Sequence, residues 1–94
     1  MGETKQSCND YESTVDLMLS DDYRERFIAE YMQLTIRMTK LEKFCNRIEA
    51  AIVKGTEEPK HDCPLNLLKD QLHAMRSYLV ILQLRAEIEG IDLG

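Results

Sequence analysis

The sequence has no tryptophan, four glycines and two prolines in 94 residues, and its aromatic residues are four tyrosines and two phenylalanines. A strand-rich fold would need more aromatic and β-branched residues and more turn signals. Leucine, isoleucine and methionine dominate the apolar fraction instead, and 31% of the residues are charged. These side chains lose little rotamer freedom in helices, so we expect one all-α domain.

Long apolar runs are also missing. The longest, Tyr78–Leu82, is far too short to cross a bilayer, and no signal peptide is recognisable. The three cysteines, Cys8, Cys45 and Cys63, are odd in number, and Cys45 falls on a core-type position. This pattern is typical of reduced thiols and not of a disulfide framework. We therefore expect a cytoplasmic protein without a membrane partner.

The net charge of −5 is unevenly distributed. Six of the 17 acidic residues but one of the 12 basic residues lie in residues 1–22, so 11 of each remain in residues 23–94. An acidic arm on a neutral body is a poor DNA binder, because non-specific affinity for DNA comes from neutralising phosphates. We expect no DNA partner, whereas a small anionic ligand needs only a local basic pocket.

The acidic arm, residues 1–21, contains a candidate short helix. Tyr11, Val15 and Met18 recur at helical spacing on one face. The polar residues before Tyr23 then break the pattern, and Asp22 is a good N-cap for a second helix.

The first long helix is predicted from Tyr23 to about Lys54, a stretch with no glycine or proline. Its apolar positions alternate in steps of four and three, the period of left-handed coiled-coil packing. Gly55 is well placed to end this helix. The apolar positions are Phe27, Tyr31, Leu34, Met38, Leu41, Cys45, Ile48 and Ile52.

The second long helix is predicted from Pro64, at the first helical position, to about Glu89, with Gly90 as its stop and Ile91 folding back. Its apolar positions mirror those of the first helix, so residues 22–94 should form an antiparallel hairpin with helices at about 22–54 and 64–89. These positions are Leu65, Leu68, Leu72, Met75, Leu79, Leu82 and Ala86.

The second helix also carries a further track, the outer seam, formed by Leu67, Gln71, Ala74, Tyr78, Ile81, Arg85 and Ile88. A hairpin partner covers only one stripe, so this track must be buried elsewhere. The short N-terminal helix could fold over it, but one or two turns cannot cover six. We therefore predict a homo-oligomer. Its interface would comprise Leu67, Ala74, Tyr78, Val80, Ile81, Leu84 and Ile88.

Catalytic and metal motifs are not evident in the sequence. It has no glycine-rich nucleophile elbow, no phosphate-cradling glycine loop and no pair of carboxylates at positions expected to be buried. The spacing of His61, Cys63, His73 and Cys45 does not match the usual zinc ligand pairs. We expect neither an enzyme nor a bound metal or cofactor.

Basic and aromatic residues supply the candidate binding site. Arg26, Gln33, Lys40, Arg47 and Lys54 repeat every seven residues. They form either a solvated flank or, against a neighbouring protomer, part of an anion pocket.

Two further candidates, Arg85 and Tyr78, lie on the outer seam. A buried arginine needs an acceptor and a tyrosine can stack on a base, although an inter-subunit salt bridge and a core tyrosine explain them slightly better. The candidate ligand-binding residues are Tyr11, Tyr23, Arg24, Arg26, Lys40, Gln71, Tyr78 and Arg85.

Several segments resemble a family of small prophage proteins named after a reading frame of a crAss-like phage. The resemblance covers residues 22–93, and its most specific part is the Gln-Leu-x-Ala-Met-x-x-Tyr stretch that ends at Tyr78. The acidic arm lies outside it. The segments are Tyr23–Tyr31, Leu41–Phe44, Cys63–Met75, Tyr78 and Arg85–Leu93.

The layout of a short helix before an oligomerising hairpin is also similar to phage sponge proteins. That likeness implies immune evasion by sequestering the cyclic nucleotide messengers of CBASS or Thoeris immunity at protomer interfaces. It is a likeness of layout, and so transfers no binding residue. The alternative is a coiled-coil adaptor or inhibitor of prophage origin, whose outer seam docks on another protein.

Overall fold

The computed structural model describes residues 14–94 and contains three helices in that range, α1 (Val15–Met18), α2 (Tyr23–Lys54) and α3 (Leu65–Glu89). No strand occurs among these residues. The all-α fold with a short N-terminal helix followed by a long helical hairpin is thereby confirmed. Tyr11, which the sequence placed on the short helix, lies outside the described residues.

The ends of α2 and α3 follow the local chemistry of the sequence. The Asp22 carboxylate accepts a hydrogen bond from the backbone N–H of Arg24 at 2.9 Å, which confirms Asp22 as an N-cap. Gly55 and Gly90 end the helices with φ angles of 79° and 70°. This left-handed conformation is strained for other residues, so both glycines are required by the backbone.

The sequence predicted Pro64 as the first helical residue, but α3 begins one residue later. Pro64 is the N-cap of α3, with a ψ of 147°, and Leu65 is the first helical residue. The Pro64 carbonyl still accepts hydrogen bonds from the N–H groups of Leu67 and Leu68, at 3.1 and 3.2 Å. The proline ring fixes only φ, so its ψ was free to be extended.

The matched apolar stripes of α2 and α3 form the core of the hairpin, as predicted. Ile48 and Leu82 are completely buried, and Ile91 folds back to pack beside the last turn of α3. Ile52, in contrast, is half exposed, because it lies in the last turn of α2, where the chain leaves for the loop. One buried cluster comprises Phe27, Leu34, Leu82, Ala86 and Ile91.

Two ion pairs along the edge of the hairpin show which residues of α2 and α3 lie beside each other. Glu42 accepts from Arg76 at 3.0 Å, and one heptad further along α2 Glu49 pairs with Lys69. The partner positions advance by seven in opposite directions, as antiparallel packing requires. Because these side chains are substantially exposed, the pairs contribute little stability.

Helix α1 packs on α2 and creates a second buried face there. Ala29, Met32 and Ile36 are buried although they lie outside the stripe that faces α3. No Cα atom of α1 comes within 8 Å of α3. The hypothesis that the short helix covers the outer seam is therefore wrong for α1.

The loop between α2 and α3 holds His61 through both ring nitrogens. Nδ1 lies 2.7 Å from the Cys63 carbonyl oxygen and Nε2 lies 2.9 Å from a Glu58 carboxylate oxygen. Both partners are acceptors, so both nitrogens donate only in the protonated ring. The hydrogen bond to Glu58, followed by that to Cys63, raises the pKa of His61 above its ordinary value.

Replacing Glu58 by glutamine should lower the pKa of His61. A raised pKa in the folded protein means that these contacts stabilise the loop below the ordinary histidine pKa, and that the stabilisation is lost as the pH rises through the raised value. Titration of the His61 ring protons by NMR measures the shift. Glu57→Gln is the matched control and should leave the midpoint in place, whereas an unchanged midpoint in Glu58→Gln would contradict the assignment.

Candidate functional site

The outer seam of α3 is exposed in the single chain. Six of the twelve exposed large hydrophobic residues found in residues 14–94 lie on α3: four belong to the outer seam, and Val80 and Leu84 widen the exposed apolar surface beside it. Gln71, Ala74 and Arg85 of the outer seam are exposed as well. An apolar stripe along most of a helix is typical of a contact surface. Oligomerisation through it stays a prediction. The six residues are Leu67, Tyr78, Val80, Ile81, Leu84 and Ile88.

At the open end of the hairpin, a polar cluster joins the start of α2 to the end of α3. The Tyr23 hydroxyl donates to the Glu89 carboxylate at 2.9 Å and accepts from Arg85 at 2.6 Å. Arg85 also donates to Glu89 at 3.2 Å, and its guanidinium lies 5.0 Å from the centre of the Phe27 ring. We call this group the base cluster; it comprises Tyr23, Phe27, Arg85 and Glu89.

Arg24 strengthens this junction at the C-terminus of α3. Its guanidinium donates to the carbonyl oxygens of Gly90 and Glu89, at 2.9 and 3.3 Å. A cation is favourable there because the last carbonyls of a helix are unpaired and carry partial negative charge. Three of the candidate ligand residues, Tyr23, Arg24 and Arg85, are thus brought together, but their donors already close the hairpin.

Hydrogen bonds among Tyr23, Arg85 and Glu89 shift the pKa values of all three side chains. The hydrogen bond from Tyr23, reinforced by Arg85, lowers the pKa of Glu89. The same bond raises the pKa of Tyr23, and the bond to Glu89 raises the pKa of Arg85. The cluster is therefore held in its ionised form, Arg85 and Glu89 as an ion pair beside a neutral tyrosine.

A groove of about 410 Å³ lies between the three helices. Five of its described lining residues lie on α2, and the other two are Met18 of α1 and Tyr78 of α3. The size is at the lower end of the ~300–1,000 Å³ range of ligand pockets. We call it the three-helix groove. It is lined by Met18, Arg26, Glu30, Gln33, Leu34, Arg37 and Tyr78.

Polar contacts fix one side of the three-helix groove to the N-terminal segment. Arg26 donates to the Ser20 carbonyl at 2.8 Å, which anchors the turn after α1. The Gln33 amide donates to the Thr14 hydroxyl at 3.1 Å and contacts the Met18 sulfur at 2.6 Å. Thr14 itself is completely buried.

The chemistry of the three-helix groove favours an anion that carries a ring. Among the described residues that line the groove, two arginines, Arg26 and Arg37, accompany one carboxylate, Glu30, so these lining residues together carry a positive charge. Arginine binds phosphate oxygens well. The Tyr78 side chain is 41% exposed and offers a ring for stacking.

The remaining candidate residues are spread over the molecule. Lys40 is exposed and does not line the groove. Gln71 is exposed on α3, with its amide 4.0 Å from the Met75 sulfur. Arg47 and Lys54, at the far end of the basic stripe, line a separate pocket at the hairpin tip beside Glu57 and Glu58.

Two groove residues were not predicted from the sequence. Arg37 and Glu30 lie off the heptad repeat of basic residues, since they follow Gln33 and Arg26 by four positions each. On a helix that spacing places them on the same stripe. The stripe became a groove wall only because α1 packs beside it.

The histidines and cysteines whose spacing was compared with zinc ligand pairs do not form one site. Cys45 is buried in the hairpin core, whereas Cys63 is exposed at the loop. Within residues 14–94 no group of three or more histidine, cysteine or acidic side chains is arranged to hold a metal ion. In the same range, no helix combines the length and apolar character needed to cross a membrane.

The fold and the three-helix groove define a small helical-hairpin protein with a basic groove beside an exposed apolar helix face. Residues 21–88 match the family model described as Sequestin, and the chain belongs to the Sequestin family. The family name denotes a sequestering protein, which describes binding and not catalysis. No curated protein and no solved structure matches the chain.

Proposed function

We propose that the protein is a phage-encoded sponge, which sequesters a cyclic nucleotide immune messenger of the CBASS or Thoeris type at the protomer interfaces of a homo-oligomer. The observation that carries the proposal is the three-helix groove, where Arg26 and Arg37 lie near Tyr78. Membership of a family named for sequestration supports the non-catalytic role.

Four of the groove residues contact the ligand in this proposal. Arg26 and Arg37 bind phosphate oxygens, and Tyr78 stacks on a base. The Glu30 carboxylate accepts hydrogen bonds from an amino or hydroxyl group, which selects against simple inorganic anions. Since the groove is at the small end of the range for ligand pockets, a cyclic di- or trinucleotide extends out of it toward a second protomer.

A panel of cyclic dinucleotides, cyclic trinucleotides and cyclic ADP-ribose isomers tests the proposal by thermal denaturation. At roughly 100-fold excess over the dissociation constant, a ligand stabilises the folded state by about 2.7 kcal/mol. For a domain of this size that corresponds to a rise in melting temperature of roughly 10 °C or more. If no compound of the panel raised the melting temperature, the proposal would be contradicted.

Arg37→Gln should raise the dissociation constant of the responding ligand by about 10-fold to 100-fold, because a charge-assisted hydrogen bond contributes about 1.5–3 kcal/mol. Arg47→Gln is the matched control, an exposed arginine on the same helix but outside the groove. Calorimetry measures both dissociation constants. If they were equal, the binding site would lie outside the groove.

The second candidate function is a coiled-coil adaptor or inhibitor, and the exposed outer seam is the observation that favours it. In that case the free protein is a monomer, or only weakly associated, until its partner arrives. Light scattering separates the two functions, because the sponge requires a stable oligomer of the protein alone.

A further inference from the structure

The outer seam of α3 has the same chemical pattern in both directions. At its centre is Tyr78, with the apolar Ala74 and Ile81 on either side of it. Beyond these lie the polar Gln71 and Arg85, and the ends are the apolar Leu67 and Ile88. A seam that reads alike from both ends matches a second copy of itself that runs in the opposite direction.

We propose that α3 pairs antiparallel with α3 of a second copy, about a two-fold axis beside Tyr78. The inference rests on the proposed function in one respect: it specifies the protomer interface of that oligomer. In this arrangement Leu67 faces Ile88 of the partner subunit, and Ala74 faces the partner's Ile81. An interface on a two-fold axis uses the same patch on both subunits, which the palindromic pattern satisfies.

Side-chain size and charge favour this direction over a parallel one. The antiparallel pairing places the small Ala74 opposite the large Ile81, so the two helices interdigitate. It also separates the two Arg85 side chains to opposite ends of the interface. A parallel in-register pairing sets the small Ala74 opposite Ala74, which leaves a gap between the two helices.

Exposure in the single chain shows that this face is available. Leu67, Ile81 and Ile88 are 55%, 53% and 83% exposed. The opposite stripe of α3, which contains Leu72 and Leu82, is buried against α2 and is not available to a partner. The partner helix can therefore approach only from the outer side.

The two-fold axis also connects the interface to the three-helix groove. Tyr78 belongs to both, since it lines the groove and stands at the centre of the seam. Pairing about Tyr78 places the two grooves of the dimer on either side of one axis. Each groove is then completed by the partner subunit, and a ligand with two-fold symmetry can span both.

Disulfide trapping without ligand tests the pairing direction. Leu67→Cys and Ile88→Cys are made separately in a background with Cys8→Ser and Cys63→Ser, and one of the two carries an affinity tag. Along α3 these positions are about 31 Å apart. In the antiparallel dimer neither variant can link to its own copy, whereas the co-expressed pair forms a linked heterodimer on oxidation.

The outcomes are distinct. The expected result is a linked product only in the co-expressed sample, with Val53→Cys on α2 remaining unlinked as the matched control. Self-linking of either single variant would establish a parallel arrangement, and absence of linking in every sample would remove the α3 interface. Both outcomes overturn the inference. A linked pair combined with a flat messenger panel would instead reject the proposed function and leave the dimer standing.

Discussion

Leu82→Ala is expected to lower the free energy of unfolding by about 2–5 kcal/mol, the usual cost of truncating a buried leucine. Leu82 is completely buried and packs in the cluster that contains Phe27, Leu34 and Ile91. A core of two layers has few neighbouring side chains that can move in to fill the cavity. Urea denaturation at one fixed protein concentration measures the change, since self-association would otherwise contribute.

Val53→Ala is the matched control for the core truncation. Val53 also lies on a long helix and is apolar, but its side chain is 88% exposed. Its truncation should change the free energy of unfolding by about 0.5 kcal/mol or less. A similarly small loss in Leu82→Ala would mean that the hairpin core is not packed around this residue.

Ile81→Asp is expected to dissociate the proposed oligomer while leaving the hairpin folded. Each protomer would lose the burial of an isoleucine, worth about 1.5–3 kcal/mol, and would bury a carboxylate in its place. The change occurs on both sides of a symmetric contact, so the dissociation constant should rise by about 100-fold or more. Light scattering measures the mass, and circular dichroism the helix content.

The fold should tolerate Ile81→Asp because Ile81 is half exposed in the single chain. Val53→Asp, on the outer face of α2, introduces the same charge away from the outer seam and should leave the mass unchanged. Should Ile81→Asp keep its native mass in solution, the outer seam would not be the subunit contact.

The hairpin could be predicted from the sequence because its core positions repeat without interruption. A track from Phe27 to Ile48 and another from Leu65 to Ala86 each fix one face of a helix, and the glycines fix where the helices end. Only local errors resulted, at Pro64 and at Ile52. Both lie at helix ends, where periodicity carries the least information.

The candidate site could be predicted only in part, because it depends on where the short helix docks. Ala29, Met32 and Ile36 are spaced three and four residues apart, so a second apolar face on α2 was visible in the sequence. It is brief and overlaps the longer track, and nothing in it names its partner. Without α1 in place, Arg37 is one of several arginines on an exposed helix face.

The partners of Arg85 are a second feature that the sequence could not predict. Its position on the outer seam indicated burial against a subunit or a ligand, yet the side chain turns to Tyr23 and Glu89 within the same chain. A heptad position fixes the direction of the Cα–Cβ bond, whereas a long side chain can reach a partner several ångströms away. Which acceptor it reaches depends on the end of the other helix.

The two ends of the hairpin are joined in different ways, and this difference sets an order for folding. At the tip, a loop of residues 55–64 ties α2 to α3, so the entropy of closing the pair there is small. At the base, the helices are held by side chains alone. We therefore expect pairing to start at the tip and to proceed toward the open end, with the base cluster forming last and opening first. The early turns of α2 supply both Tyr23 and Arg26, so a molecule captured in the three-helix groove would slow the unzipping of the chain.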